Sequence, residues 1–154
     1  MQMRIGHHFY NWPHDWTDLD KRLERTKETG YEGWEAKPNE IGAPAETAKK
    51  KCDALGIACA AIGGNGKEGI DYAHAAGASV LRTQVSAEEC RELVEYAAER
   101  GVILAVHNHL SVKNRGRGAV ETREDLLRYL DERPGTYACP DTGHLLLCGS
   151  DPVL

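Results

Sequence analysis

Four glycines punctuate the chain, and each stands at or just before an apolar run. Gly30 precedes Tyr31-Glu32-Gly33-Trp34-Glu35-Ala36, and Gly56 precedes Ile57-Ala58-Cys59-Ala60-Ala61-Ile62. Gly77 stands just ahead of Ser79-Val80-Leu81, and Gly101 precedes Val102-Ile103-Leu104-Ala105-Val106. Glycine is the residue that ends a helix in a left-handed turn, and a short run after it reads as a strand, buried on both faces where it carries no charge, as after Gly56 and Gly101. Helix, stop and buried strand, repeated, is the pattern of parallel βαβ units with right-handed crossovers. The fold class is therefore α/β, a (β/α) repeat within a single domain spanning 1–154.

The boundaries are legible as well. Residues 4–10 read as a first strand in which His7 and His8, as neighbours, face opposite ways. Thr17 with Asp20 marks a helix start running through Leu19 and Leu23. Pro44 opens a helix with Ala45, Ala48, Cys52 and Leu55 on one face, stopped by Gly56. A short helix around Ile70 and Ala73 ends near Gly77, and residues 79–85 form the fourth strand. Ser86 with Glu89 is a capping box for a helix carrying Cys90, Leu93, Val94, Ala97 and Ala98. Thr122 with Asp125 starts another helix, ended by Pro134-Gly135, and the sixth strand is 137–139. Gly149-Ser150-Asp151-Pro152 reads as one more helix start. An eight-stranded (β/α) barrel typically needs ~250 residues and rarely fewer than ~200, and this chain has 154. About six parallel strands follow, either an open sheet or an incomplete TIM-barrel-like sheet.

With 19 Lys and Arg against 24 Asp and Glu, the net charge is −5. An acidic chain with no basic stripe interleaved with aromatics points away from nucleic acid. No apolar run approaches the ~20 residues that span a bilayer, and the N-terminus lacks the apolar core of a signal peptide. The five cysteines, at 52, 59, 90, 139 and 148, contain no Cys-x-x-Cys pair and read as free packing thiols. A cytoplasmic protein without membrane or nucleic-acid partners is expected.

Chemistry concentrates at the ends of two strands. Val106-His107-Asn108-His109 follows the fifth, and strand alternation sets His107 and His109 on one face with Asn108 on the other. Pro140-Asp141-Thr142-Gly143-His144 follows the sixth, with a carboxylate three residues before an imidazole. Two neutral imidazoles, a carboxylate and a further imidazole at equivalent strand ends suit a metal or an acid–base site. Glu35 at the end of the second strand is an acid–base candidate, though a solvated surface role serves it equally well. Arg82 and Gln84 share a face of the fourth strand and suit substrate hydroxyls or a phosphate, or a structural ion pair. Trp12 and Trp16 suit a wall against a sugar ring or a cover for the barrel mouth. Gly63-Gly64-Asn65-Gly66-Lys67 is glycine-rich, but Glu68 follows the lysine where a phosphate-binding loop carries Ser or Thr.

The order of elements, with the segments from Gly101 to His109, from Ala119 to Asp125 and Asp141-Thr-Gly-His144 through Gly149-Ser-Asp-Pro152, resembles the xylose-isomerase-like TIM barrels. These form the sugar-phosphate isomerase/epimerase superfamily, which includes inosose dehydratases and family-two apurinic endonucleases. The resemblance spans essentially the whole chain as a barrel lacking its last quarter. It implies a divalent cation (Mn, Mg, Co or Zn) held by a strand-five Glu, the Asp of Asp-x-Gly-His, and a His and a Glu from the final strands. Carried onto this chain, Asp141 is a metal ligand and His144 touches substrate. His107 stands where the strand-five Glu is expected, as in inosose-dehydratase-like members, and Glu121 or His109 are substitutes for that ligand.

The activity implied is isomerisation, epimerisation or dehydration of a small-molecule sugar, sugar phosphate or cyclitol through an enediolate-type intermediate. The expected assignment gives His107 and Asp141 to metal, His144, Arg82 and Trp12 to substrate, and His109 and Glu35 to acid–base work. The alternative is an incomplete barrel, catalytically incompetent with a vestigial metal site, whose open edges drive homo-oligomerisation.

Overall fold

The computed structural model describes residues 5–9, 18–110 and 120–153. Its strands are β1 (Gly6–His8), β2 (Gly33–Ala36), β3 (Ala58–Gly63), β4 (Val80–Arg82), β5 (Ile103–His107) and β6 (Tyr137–Cys139). The helices are α1 (Leu19–Glu28), α2 (Pro38–Ile41), α3 (Ala45–Leu55), α4 (Gly66–Ala75), α5 (Cys90–Ala98), α6 (Arg123–Glu132) and α7 (Thr142–Leu147). The strands pair in chain order, all parallel. The sheet curls through 180° into a half-barrel, the incomplete TIM-like architecture expected.

Alternation along each strand divides the side chains between two faces. Trp34, Ala36, Ile62, Leu81, Leu104 and Val106 point outward and are buried beneath the helices. Trp34 anchors this layer: its ring stacks on Phe9 with centroids 4.5 Å apart, and its Nε1 donates to Cys52 Sγ at 3.1 Å. A buried indole N–H needs such a partner. Cys52, Cys59 and Cys90 are buried free thiols in the core, as anticipated. Glu35, Arg82, Ile103, His107 and Tyr137 face the concave side, where Ile103 and Tyr137 stay 42% and 54% exposed.

The glycine stops have the geometry their spacing predicts. Gly30, Gly56, Gly77 and Gly101 all have positive φ, from 66° to 82°, a region where a Cβ crowds the following carbonyl. The Thr122–Asp125 box is formed: Thr122 Oγ1 accepts from the Asp125 N–H at 3.1 Å, and Asp125 Oδ2 accepts from the Thr122 N–H at 3.0 Å. Ser86 and Glu89 are also paired, the Ser86 hydroxyl donating to the Glu89 carboxylate and accepting from the Glu89 N–H. A turn intervenes before α5 begins at Cys90.

Several boundaries differ from expectation. The cap of α1 is Asp18, whose carboxylate accepts from the Asp20 and Lys21 N–H groups; Thr17 lies outside the described residues. The fourth strand stops at Arg82, because the chain beyond it pairs only through the Thr83 N–H to Ala105. The Asp151-Pro152 signal makes a local turn, with Asp151 Oδ1 accepting from the Val153 N–H at 2.8 Å. Helix α7 forms earlier than that signal, capped by Asp141. No described helix is long and apolar enough to cross a membrane.

Candidate functional site

His107 is the last residue of β5, level with Cys139 on β6. The next residue, Asn108, is fully buried. Its Nδ2 donates to the Asp141 carbonyl at 3.1 Å, and its Oδ1 accepts from the Asp141 N–H at 2.7 Å. One amide thus clamps both backbone groups of Asp141 and fixes the β6–α7 junction against the end of β5. Asp141 Oδ1 in turn accepts from the His144 N–H at 2.9 Å, the N-cap arrangement that satisfies an orphan helical donor. That cap is why His144 sits one turn into α7, facing back over the strand ends.

His107, Asp141 and His144 each present a ligand atom within 4.8 Å of the others, the one group of metal-binding type among the described residues. His109 lies beside them, its ring centroid 4.1 Å from His144 and 5.9 Å from His107. The rings of His107 and His144 are 5.9 Å apart. His144 Nδ1 is buried without a hydrogen-bond partner, and its Nε2 is 3.9 Å from Asp141 Oδ2, beyond hydrogen-bonding distance. A buried ring nitrogen left unpaired is costly unless something else occupies its lone pair.

The electrostatics favour the ligating protonation states of Asp141 and His107. The Asp141 carboxyl is held below its ordinary value, first by the His144 backbone N–H and, against some desolvation, by the imidazoles of His144 and His107. Burial chiefly, then the Arg82 charge, holds His107 below its ordinary 6.5; Asp141 opposes them, while His109 and His144 add to the lowering. An ionised carboxylate and neutral imidazoles are what a divalent cation requires. The donor set therefore fits such an ion, with His107, Asp141 and His144 to hold it.

Across the concave face stands a second group. Arg82 Nε donates to Glu35 Oε1, and Arg82 Nη2 is 3.3 Å from His8 Nε2. His8 Nε2 is 3.8 Å from the same Glu35 oxygen. Gly63 permits this: a Cβ there would lie 3.0 Å from Arg82 Nη2 and 3.1 Å from Lys37 Cγ. Burial lowers the His8 pKa, with Glu35 and Glu40 opposing it. Both groups wall one open cleft of about 740 Å³, within the ~300–1,000 Å³ common for small-ligand sites. It lies at the C-terminal ends of the strands, where barrels of this type build their sites.

The sequence-predicted residues thus gather, with exceptions. His107, His109, Asp141, His144, Glu35 and Arg82 share the cleft. Trp12 and Trp16 lie outside the described residues. Gln84 lines an adjoining recess of about 370 Å³ beside Asn65 and Lys37. Lys67 is paired with Glu92 on α5, so the glycine-rich loop does not aim its lysine inward. Glu121 is not part of the metal-type group; its backbone N–H donates to Asp125.

Sequence reasoning missed His8, Lys37 and Glu40 as cleft residues, and Asn108 as the clamp. The signals were present: His8 alternates with the core-facing His7, and Pro38 with Gly42 brackets the short α2 that carries Glu40.

No family model and no curated protein matches the sequence. Solved structures do match its fold. A sugar phosphate isomerase/epimerase from Parabacteroides distasonis superposes with a TM-score of 0.74 at 15% identity, over 97% of this chain and 68% of that one. A 3-keto-D-glucoside 4-epimerase from E. coli gives 0.74 at 15% identity, over 95% and 71%. A family 2 AP endonuclease from Brucella melitensis gives 0.69 at 16% identity, over 97% and 73%. A D-psicose 3-epimerase bound to D-fructose gives 0.74 at 14% identity, and there this chain spans 65% of the length. These likenesses show the fold, that of a TIM barrel, and this chain spans 65–73% of the length of those four structures.

Proposed function

We propose that this chain carries the active site of a divalent-metal-dependent isomerase or epimerase acting on a sugar, a sugar phosphate or a cyclitol. The observation that carries the reading is the convergence of His107, Asp141 and His144 at the ends of β5 and β6, facing the Glu35–Arg82–His8 group across one cleft. A bound cation would supply polarisation of a substrate carbonyl and its neighbouring hydroxyl, lowering the cost of an enediolate.

The chain's own groups do the rest. Arg82 orients Glu35 through their ion pair, so that the carboxylate is positioned to take a proton from carbon next to the carbonyl. His109, exposed at the cleft, is placed to return or relay a proton. Arg82 and Lys37 offer donors for substrate oxygens. Dehydration of a cyclitol uses the same proton abstraction followed by loss of a neighbouring hydroxyl.

The test reads proton abstraction directly, whichever product forms. Metal-loaded protein is incubated in D2O with ketoses, sugar phosphates and inososes, and loss of the carbon-bound proton beside the carbonyl is followed by NMR. Exchange into at least one substrate is expected, abolished by Asp141→Asn and strongly reduced by Glu35→Gln. No exchange in any of them, or full exchange in Asp141→Asn, overturns the reading.

A second reading, self-association with a vestigial site, is favoured by the open sheet edges. Among the described residues β1 and β6 each pair on one side only, and the apolar Tyr137 of β6 and Leu146 and Leu147 of α7 are exposed. Unpaired edges next to exposed apolar side chains invite a second copy. Light scattering separates the readings: a monomer that catalyses exchange supports the first, and an inactive oligomer the second.

A further inference from the structure

The donors gathered at the ends of β5 and β6 are unusual in kind. Of the three that converge, His107 and His144 are imidazoles and only Asp141 supplies oxygen, and a third imidazole, His109, packs against both rings. We infer that these four residues form a self-contained, nitrogen-rich site for a borderline transition-metal cation of the zinc, cobalt or nickel type, with His109 as the fourth donor, and that magnesium or calcium is not its ion. The inference rests on the metal-dependent reading above, specifies which class of cation that reading requires, and makes His109 a ligand in place of a proton relay, leaving proton transfer to Glu35.

Two arguments support it. Imidazole nitrogen suits zinc, cobalt and nickel, whereas magnesium and calcium take oxygen-rich shells. The cleft's other carboxylates are engaged by protein groups: Glu35 is paired with Arg82, and the Glu40 carboxylate accepts from the Lys37 N–H, so Asp141 is the one oxygen donor in the convergent group.

His109 has the freedom to serve. Its backbone is pinned by its N–H donating to the Val120 carbonyl at 2.9 Å, while its exposed ring lies closest to His144. Among the described residues, the rings of His107, His109 and His144 make no hydrogen bond at any nitrogen. Imidazoles packed this close without hydrogen-bond partners are poor packing and good ligands. All four donors come from two adjacent strand ends and the first turn of α7, so no further element has to complete the shell.

The probe is Co2+ added to metal-free protein. Each imidazole that binds cobalt through one nitrogen carries an exchangeable proton on the other, which appears as a strongly shifted NMR resonance. One such resonance is expected for each of His107, His109 and His144, with one lost in His109→Ala. Zn2+ should displace the cobalt, and Mg2+ in about 100-fold excess should not. His109→Ala should weaken Co2+ by about tenfold or more, and its thermal midpoint without metal should stay at the wild-type value because the side chain is exposed.

Only two shifted resonances in the wild type, or no loss in His109→Ala, overturns the fourth donor. Displacement of cobalt by magnesium overturns the cation class while leaving a metal-dependent enzyme standing. All the resonances without any solvent exchange into sugars would keep the site and sink the reaction. No cobalt binding at all would end both.

Discussion

Asn108→Ala is the most informative single change, because Asn108 does not line the cleft and yet sets the site. Its side chain is fully buried and makes two hydrogen bonds to one residue 33 positions away. Each bond contributes about 1 kcal/mol net, and a group left unsatisfied costs about 1–3 kcal/mol. The Asp141 backbone is only partly buried, so water recovers part of that loss, and a destabilisation of about 2–3 kcal/mol is expected. Against a typical stability of about 5–15 kcal/mol the variant remains folded.

Urea unfolding followed by circular dichroism reads this directly. With m at about 1–3 kcal/mol/M, the midpoint should fall by roughly 1–2 M at unchanged m. Cobalt affinity should fall by about tenfold or more, because Asp141 is no longer fixed against His107. A midpoint shift below roughly 0.3 M, or an unchanged cobalt affinity, would refute the clamp.

Two further outcomes follow from the same physics. Gly101→Ala should cost about 1–2 kcal/mol, since φ is +66° there and the added Cβ meets nothing within 4 Å; a thermal midpoint at or above wild type would contradict the left-handed requirement. Burial, the largest cause in each case, lowers the folded-state pKa of His7, His8 and His107 below the ordinary 6.5. The unfolded chain therefore binds more protons just below that value, so stability should hold above about pH 6.5 and decline as pH falls beneath it. Urea midpoints equal or higher at pH 5.5 than at pH 7.5, measured on metal-free protein, would contradict the sign.

Much of the scaffold is legible because its signals are local. Gly56 and Gly101 need a left-handed backbone wherever they sit, and the apolar runs behind them are short enough only for strands. The Thr122–Asp125 box is likewise a four-residue event. Helix α7 escapes a sequence reading because Asp141 stands out for its chemistry and not as a cap, although both roles use the same carboxylate. His107, Asp141 and His144 are legible as candidates from strand-end position and residue type.

The pairing of Glu35 with Arg82 is not legible. It joins residues 47 positions apart and depends on how far the sheet curls. Strand alternation places Asn108 away from His107 and His109, and so removes it from the candidates. What alternation does not reveal is that the chain leaves β5 at that residue, turning a core-facing amide toward the Asp141 backbone. The positioning of a site by non-local hydrogen bonds is the layer that sequence periodicity does not carry.

The central claim is that the ends of β5 and β6 hold a metal ion. Crystals grown with Co2+ or Zn2+ and measured at the metal's absorption edge test it most directly. The account predicts an anomalous peak bounded by His107, Asp141 and His144, with His109 turned toward it. A peak elsewhere on the molecule, or none with the cleft open to solvent, would contradict it.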